Sequence, residues 1–314
     1  MSKKHRNWLE RGERNKIILL GAGTKGGSGK SLKLANIFTW YQYKFGVVPK
    51  VWDCDSMQTL TRMIGAQSLF GVSDEIPLQW VLAEVLQDDE HSVFILDTAA
   101  SSQSEVRKAF AKVDAEALYL DGVHIVLVAS ITKEEETVSK VLPWVDMLNA
   151  SSSYLFVRNW VTEIEPRAVP IVQGESFAIE QGHYSPPELL QFIYDSQQPL
   201  HTAVFPYLRS FRRPFIDAKR KGSATALAEW NAIRDRLWAD FPPRLRNGSI
   251  FMPAAMFLDE FYNQLDEIAD DLLPIEFQGR PPGSFPVSAG VGCGKRTEGQ
   301  GLRLVTESKA EQVA

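Results

Sequence analysis

A glycine-rich run between an apolar segment and a helical segment constrains the fold of this chain more than any other sequence feature. The run reads GTKGGSGKS and extends from Gly23 to Ser31; we call it the glycine-rich loop. It follows the apolar residues 16–23 and overlaps the start of a stretch with helical spacing, residues 31–45. Glycine has no Cβ, so backbone N–H groups here can approach a bound group closely. The pattern predicts a strand, an anion-binding loop and a helix.

Several features of the glycine-rich loop and of the helix that follows it suit a polyphosphate. The glycines offer backbone N–H groups, and the helix that follows directs the positive end of its dipole at the same place. Lys30 adds a point charge for the β- and γ-phosphates, and the Ser31 hydroxyl is suited to bind Mg²⁺. A glycine-rich turn that binds no nucleotide remains the alternative.

The spacing of the glycine-rich loop departs from the general pattern GxxxxGK[ST]. That pattern asks for a glycine five positions before Gly29, where this chain has Thr24. The sequence fits a variant, KGGxGK[ST], in which Lys25 lies five positions before Lys30. An additional lysine at this point is therefore a distinguishing feature of the site.

Apolar runs and helical stretches alternate along the chain. The predicted strands cover residues 16–23, 47–53, 92–98, 122–130, 154–159 and 202–208, and the predicted helices between them cover residues 31–45, 76–86, 105–120 and 134–148. Such alternation predicts an α/β fold: a twisted, mostly parallel sheet with helices on both faces.

The C-terminal half is less regular. Two further helices are predicted, from Ala224 to Ala239 and from Ala254 to Leu273, whereas residues 160–199 allow no assignment beyond a short helix after Pro187. From about Gly279 the sequence is rich in Gly, Pro and Ser and loses all periodicity. We therefore divide the chain into a basic N-terminal segment, 1–15, a main domain, 16–275, and a disordered C-terminal tail, 276–314.

Composition excludes several classes of protein. Hydrophobic residues make up 44% and charged residues 23%, as in ordinary globular proteins. The two cysteines, Cys54 and Cys293, are too few for a disulfide framework, a Cys-rich zinc site or a Cys₄ iron–sulfur cluster within one subunit. The apolar run Ile17 to Leu20 is much shorter than a membrane span. We expect a cytoplasmic protein without membrane insertion.

The motif KGGSGKS resembles the signature of the ParA/MinD family of deviant Walker A P-loop ATPases. The resemblance implies that residues 16–275 are a P-loop ATPase domain using ATP and Mg²⁺. It also implies a homodimer in the ATP-bound form, in which Lys25 reaches the partner's nucleotide. Lys25 and Lys30 would then be catalytic. The residues implied to contact the nucleotide are Lys25, Gly26, Gly27, Ser28, Gly29, Lys30, Ser31 and Leu32.

Aspartates follow the glycine-rich loop in the order found in that family. VWDCDS, residues 51–56, resembles its segment after the second strand, so Asp53 and Asp55 are candidates for organising the attacking water and the Mg²⁺ shell. FILDTAA, residues 94–100, resembles its Walker B strand, which would make Asp97 a holder of Mg²⁺. An aspartate after a buried strand can also be only a loop or helix-cap residue.

Two weaker matches concern the base of the nucleotide. Asn159 resembles the asparagine that reads the adenine edge, and Phe205-Pro206-Tyr207 resembles the segment that closes over the base, which makes Pro206 and Tyr207 candidate contacts. An asparagine at the end of a strand is equally typical of a turn.

A local basic patch stands out in a chain whose net charge is -5. Phosphate backbones attract such patches without sequence readout. Its residues are Arg209, Arg212, Arg213, Lys219, Arg220 and Lys221, and two phenylalanines, Phe211 and Phe215, lie among them. The alternative is a solvated helix face with two core phenylalanines.

These features lead to one main functional hypothesis. We expect an ATP-dependent dimerisation switch that positions or maintains plasmid or other DNA, binds DNA nonspecifically and responds to a protein activator or adaptor. A P-loop small-molecule kinase or ATP-dependent synthetase is the alternative from a different class, and a MinD-like protein-positioning ATPase is another. Membrane targeting is disfavoured because the last predicted helix, 257–273, is acidic.

Overall fold

A single sheet organises the part of the chain that the computed structural model describes. The described residues are 14–22, 28–55, 57–69, 76–98, 108, 110–160, 164–181 and 260–278. The strands are β1 (Lys16–Ala22), β2 (Lys50–Asp53), β3 (Gln67–Ser68), β4 (Val93–Asp97), β5 (Val123–Ile131), β6 (Ser153–Asn159) and β7 (Ser176–Gln181). They are ordered β3-β2-β4-β1-β5-β6-β7, and every neighbouring pair is parallel. The predicted parallel α/β sheet is confirmed.

Helices cover both faces of the sheet, as predicted. They are α1 (Lys30–Phe45), α2 (Thr59–Ile64), α3 (Ile76–Gln87), α4 (Ala115–Leu120), α5 (Glu135–Ser139), α6 (Leu142–Leu148), α7 (260–267) and α8 (Ala269–Leu272), with 3₁₀ turns at Asn149–Ser151 and Ile275–Phe277. On one face α1, α2, α7 and α8 pack over Ile17 and Leu19, and on the other α3, α4 and α6 pack over Ile18 and Leu20. Burial on both faces explains the continuous apolar runs of the strands.

The ends of α1 are set by glycines in the left-handed conformation. Gly29 precedes the helix with φ of 79°, and no side chain caps this end. Gly46 follows it with φ of 65° and donates its N–H to the Gln42 carbonyl at 3.2 Å, while Val47 donates to Tyr41 at 3.3 Å. This paired arrangement needs a left-handed residue, a conformation that glycine adopts without a Cβ penalty. The first helix is therefore delimited closely by the sequence.

Two predicted helices are each interrupted. Within the predicted helix 105–120, residues 108 and 110 are helical and the helix is interrupted at 111–114. Helix α4 then begins at Ala115, where the Asp114 carboxylate caps it by accepting from the Ala117 N–H at 3.0 Å. In place of one helix over 134–148, α5 and α6 are separate, and α6 has Pro143 in its first turn. Proline lacks the N–H that would continue a helix, so it is accommodated at a new start.

Other elements differ from the sequence interpretation or lie outside the described residues. The helix α2 and the strands β3 and β7 were not predicted, and the strand predicted from residue 47 begins at Lys50. Five predicted segments lie outside the described residues: the strand 202–208, the helix 224–239, the N-terminal residues 1–13, the start of the helix at Ala254 and the tail from Gly279. Those predictions stand as predictions.

A buried histidine on β5 makes stability depend on pH. His124 is 4% exposed, and its Nε2 lies 2.9 Å from Ser153 Oγ. Burial, with the charge of Arg14 acting in the same direction, lowers the pKa of His124 to about 3. The unfolded chain therefore binds a proton more readily than the folded chain, and stability decreases as pH falls below the ordinary histidine pKa of about 6.5.

We expect the free energy of unfolding to decrease by about 1.4 kcal/mol when the pH is lowered from about 7.5 to about 5.5, because His124 becomes protonated in the unfolded chain but not in the folded one. Urea unfolding of the wild type and of His124→Gln at both pH values measures this, because the constant cost of the substitution cancels when the pH-induced changes are compared. The variant should lose less stability than the wild type by that amount. Equal losses would contradict the assignment to His124.

Candidate functional site

The carboxyl ends of the strands bring those predicted site residues that the structure describes to one edge of the sheet. The strand β1 lies between β4 and β5, and the glycine-rich loop connects its carboxyl end to α1. From β1 the chain moves to the β2 side of the sheet and later returns to form β5, β6 and β7 on the other side. Ligands of parallel α/β sheets bind where the order reverses in this way.

Lys30, Ser31 and Asp97 form the centre of the site. Asp97 ends β4 and is fully buried, and it is the register partner of Gly21 on the adjacent β1. Lys30 Nζ donates to Asp97 Oδ1 and to the Thr98 carbonyl, and Ser31 Oγ donates to Asp97 Oδ2 at 2.7 Å. Both carboxylate oxygens of Asp97 are thus used by the first turn of α1.

Asp53 and Asp55 lie next to each other at the end of β2, and they differ in exposure. Asp53 is fully buried; its Oδ1 accepts from the Asp55 N–H at 2.9 Å and its Oδ2 from the Thr61 N–H at 2.9 Å. Asp55 is only partly buried and accepts from the Met57 N–H at 3.0 Å. Asp53 therefore holds the turn between β2 and α2, whereas Asp55 is the more accessible carboxylate.

The burial of Asp53 affects its protonation. Desolvation raises its pKa above the ordinary value, and the nearby charge of Asp97 acts in the same direction, while hydrogen bonds from Thr61 and Asp55 oppose the shift. Two acidic groups on neighbouring strands β2 and β4 thus share one end of the site.

Lys33 was not recognised in the sequence as part of the site. It is 1% exposed, and its Nζ donates to the Ser28 carbonyl at 2.9 Å and to the Ser130 hydroxyl on β5. Burial lowers the pKa of Lys33 to about 7. The available signal was its position three residues after Lys30, which places both lysines on one face of α1.

Asn159 joins the same group from the end of β6. Its Nδ2 donates to the Ser28 carbonyl at 2.9 Å, so this oxygen accepts from two buried side chains, Asn159 and Lys33. The predicted contact of Asn159 with adenine stays a prediction; the contact seen is with the glycine-rich loop. Through Lys30, Lys33 and Asn159 the start of α1 is connected to β4, β5 and β6.

The residues fit Mg²⁺ and a polyphosphate. Mg²⁺ prefers oxygen ligands and usually takes only one or two carboxylates together with substrate phosphates. Ser31 and the buried Asp97 already place a hydroxyl and a carboxylate together, and Asp55 offers a second carboxylate that is only partly buried. The buried Ser28 hydroxyl has no hydrogen-bond partner among the described residues. The described residues hold no group of three or more His, Cys, Asp or Glu that would bind a metal by themselves.

Of the remaining predicted contacts, only Leu32 lies within the described residues. Leu32, in the first turn of α1, is half-buried and packs against the hydrophobic core. The glycine-rich loop is described only from Ser28 onward. The other predicted contacts lie outside the described residues: Lys25, Gly26, Gly27, Pro206, Tyr207 and the basic residues Arg209, Arg212, Arg213, Lys219, Arg220 and Lys221.

Comparison with known proteins adds no family assignment. The chain matches no protein-family model and no curated protein. Among the described helices, none is both long and apolar enough to cross a membrane. The interpretation of the site therefore depends on its own geometry and on the motif resemblance.

Proposed function

We propose that this chain is a Mg²⁺-dependent ATPase whose ATP-bound form dimerises and binds DNA. The observation that carries the proposal is the convergence of Lys30, Ser31 and Asp97 at the carboxyl edge of the sheet, beside the uncapped start of α1. A lysine and a hydroxyl at a helix N-terminus after a glycine-rich loop, beside a buried carboxylate at the end of the neighbouring strand, form an arrangement suited to a phosphate chain with Mg²⁺.

The proposed chemistry is phosphoryl transfer to water. This reaction needs chiefly positioning and neutralisation of charge on the transferred group. Bound Mg²⁺ would supply charge neutralisation at the phosphate oxygens. Lys30 would place its charge on the β- and γ-phosphates, Ser31 and Asp97 would hold the metal, and Asp55 would orient water from the end of β2. The buried Asp53 would keep Asp55 in place through the hydrogen bond to its N–H.

Dimerisation and DNA binding are the finer parts of the proposal. They are supported by the sequence alone: Lys25, whose counterpart in the resembling family reaches the partner's nucleotide, and the six basic residues between Arg209 and Lys221. A basic patch on an acidic chain favours a phosphate backbone, with affinity that depends steeply on salt. A protein activator or adaptor would set the rate of hydrolysis.

We expect the wild type to retain double-stranded DNA in a filter assay with ATP and Mg²⁺ but not with ADP or without nucleotide. Six phosphate contacts predict a loss of affinity of about 10³-fold between about 50 and about 200 mM salt. Lys25→Ala should abolish retention, because it removes the proposed dimer contact. Lys140→Ala is the matched control, since Lys140 is an exposed lysine paired with Glu136 on α5.

Two results would separate the parts of this proposal. ATP binding without DNA retention in any nucleotide state would contradict the DNA part and direct attention to a protein partner or an acceptor substrate. Retention that is independent of ATP and of Lys25 would contradict the dimerisation switch. Size-exclusion chromatography of the same samples, with ATP and with ADP, measures dimerisation directly.

A further inference from the structure

We propose that Lys33 is a positioning residue of the nucleotide site: by holding the Ser28 carbonyl inside the protein, it turns the Gly29 N–H toward the phosphates. This inference rests on the proposed nucleotide binding and assigns a role to a residue outside the motif KGGSGKS. Lys33 contacts the glycine-rich loop rather than the nucleotide.

The first step is the position of the ammonium group. Lys33 lies in the second turn of α1 and reaches back to the loop that precedes its own helix. Its Nζ is enclosed with two oxygens, the Ser28 carbonyl at 2.9 Å and the Ser130 hydroxyl of β5. Lys33 thus fixes the last residues of the glycine-rich loop relative to the sheet.

The second step is the geometry of one peptide unit. The described part of the chain contains no cis peptide bonds, so the carbonyl of Ser28 and the N–H of Gly29 point in opposite directions. Because the carbonyl points inward at Lys33 and Asn159, the Gly29 N–H points away from them. Backbone N–H groups turned outward at a helix N-terminus are the donors that bind phosphate oxygens.

The third step is the close packing of the loop on these two side chains. A Cβ added to Gly29 would lie 3.2 Å from Asn159 Nδ2 and 3.5 Å from Lys33 Nζ. The backbone at Gly29 therefore rests directly on both donors, in a conformation with φ of 79°. Rotation of the Ser28–Gly29 peptide would break two hydrogen bonds with buried donors.

The burial of Lys33 argues against a purely stabilising role. Both of its acceptors are uncharged, and burying an ammonium group beside neutral partners costs more than burying an apolar chain of the same length. Methionine has a similar shape and avoids this cost. We therefore expect Lys33→Met to fold with an unfolding temperature no lower than that of the wild type, even though nucleotide binding is impaired.

The test is calorimetric titration of ADP with Mg²⁺ into the full chain. Lys33→Met should bind ADP about tenfold more weakly, because the Gly29 donor is no longer oriented. Asn159→Ala, which removes the other donor to Ser28, should also weaken binding. The double variant should deviate from the product of the two single effects, since both side chains act on one carbonyl. Tyr41→Phe, which removes a buried hydrogen bond elsewhere on α1, is the control and should bind ADP as the wild type does.

Each other outcome has a definite meaning. Wild-type affinity in Lys33→Met would overturn the positioning role while leaving the proposed ATPase function intact. Weaker binding together with a lower unfolding temperature, or equal weakening in Tyr41→Phe, would also overturn it, because general destabilisation would then explain the loss. Absence of ADP binding in the wild type would contradict the proposed function itself, and this inference with it.

Discussion

Replacing Lys30 with alanine is expected to reduce ATP hydrolysis by at least about 100-fold, the effect of removing one charge-stabilising donor from a transition state. Lys30 is the first residue of α1, is 8% exposed and donates to Asp97 and to the Thr98 carbonyl. With nucleotide bound, its charge would act on the proposed phosphates. Steady-state phosphate release with ATP and Mg²⁺ measures the loss. We also expect weaker binding of ADP, with or without Mg²⁺, since the lost charge acts on phosphate directly.

Lys30→Ala is also expected to destabilise the folded chain. Lys30→Ala leaves Asp97 buried without its ion-pair partner, which costs about 3–5 kcal/mol in buried pairs. Unfolding curves therefore have to show that the variant is folded at the assay temperature. Lys140→Ala should leave hydrolysis unchanged, because Lys140 is none of the predicted site residues, and it should barely change stability, because exposed ion pairs contribute about 0–1 kcal/mol. Substantial hydrolysis by a folded Lys30→Ala chain would contradict the proposed site.

Asp97→Asn is expected to lower hydrolysis by a similar factor of at least about 100. The cause would be weaker binding of Mg²⁺, whereas Lys30→Ala removes a charge that acts on the phosphates. The substitution keeps the volume of a fully buried side chain but removes the charge that Lys30 and Ser31 share. We expect the strengthening of ATP binding by Mg²⁺ to be largely lost, while binding in the presence of EDTA changes much less. Titration of ATP under both conditions separates this result from that of Lys30→Ala.

Asp88→Asn provides the matched control for Asp97→Asn. Asp88 is also a carboxylate with a lysine partner, Lys50, but it follows α3 instead of ending a strand at the site. Its hydrogen bonds with Lys50 and His91 hold its pKa below the ordinary value, so its loss affects stability. Hydrolysis and Mg²⁺ dependence should remain. If Asp97→Asn kept full Mg²⁺ dependence, Asp97 would not be the metal-binding carboxylate.

Local patterns predicted most of the sheet in the described part of the chain. The strands β1, β4, β5 and β6 and the helix α1 were found from apolar runs and helical spacing, because residues buried on both faces leave a continuous signal. The interruption at Asp114 and the short elements α2, β3 and β7 were missed. Their sequences are short and mixed in character, so tertiary contacts decide them; β7, for example, has its Glu180 N–H and carbonyl bonded by the Gln264 side chain.

The sequence by itself determined the order of strands and helices, the glycine-rich loop before α1 and the identity of Lys30 and Ser31 as candidates, since each depends on residues close together in the chain. Only the tertiary structure decided which aspartate meets them. Asp97 lies 67 positions from Lys30, and the two meet because β4 is the sheet neighbour of β1. Ser130 and Asn159 likewise come to the loop only through the positions of β5 and β6. Strand order is a non-local property, because it is fixed by packing of the whole sheet. The proposed role of Lys33 depends on this order, since its partner Ser130 lies on β5.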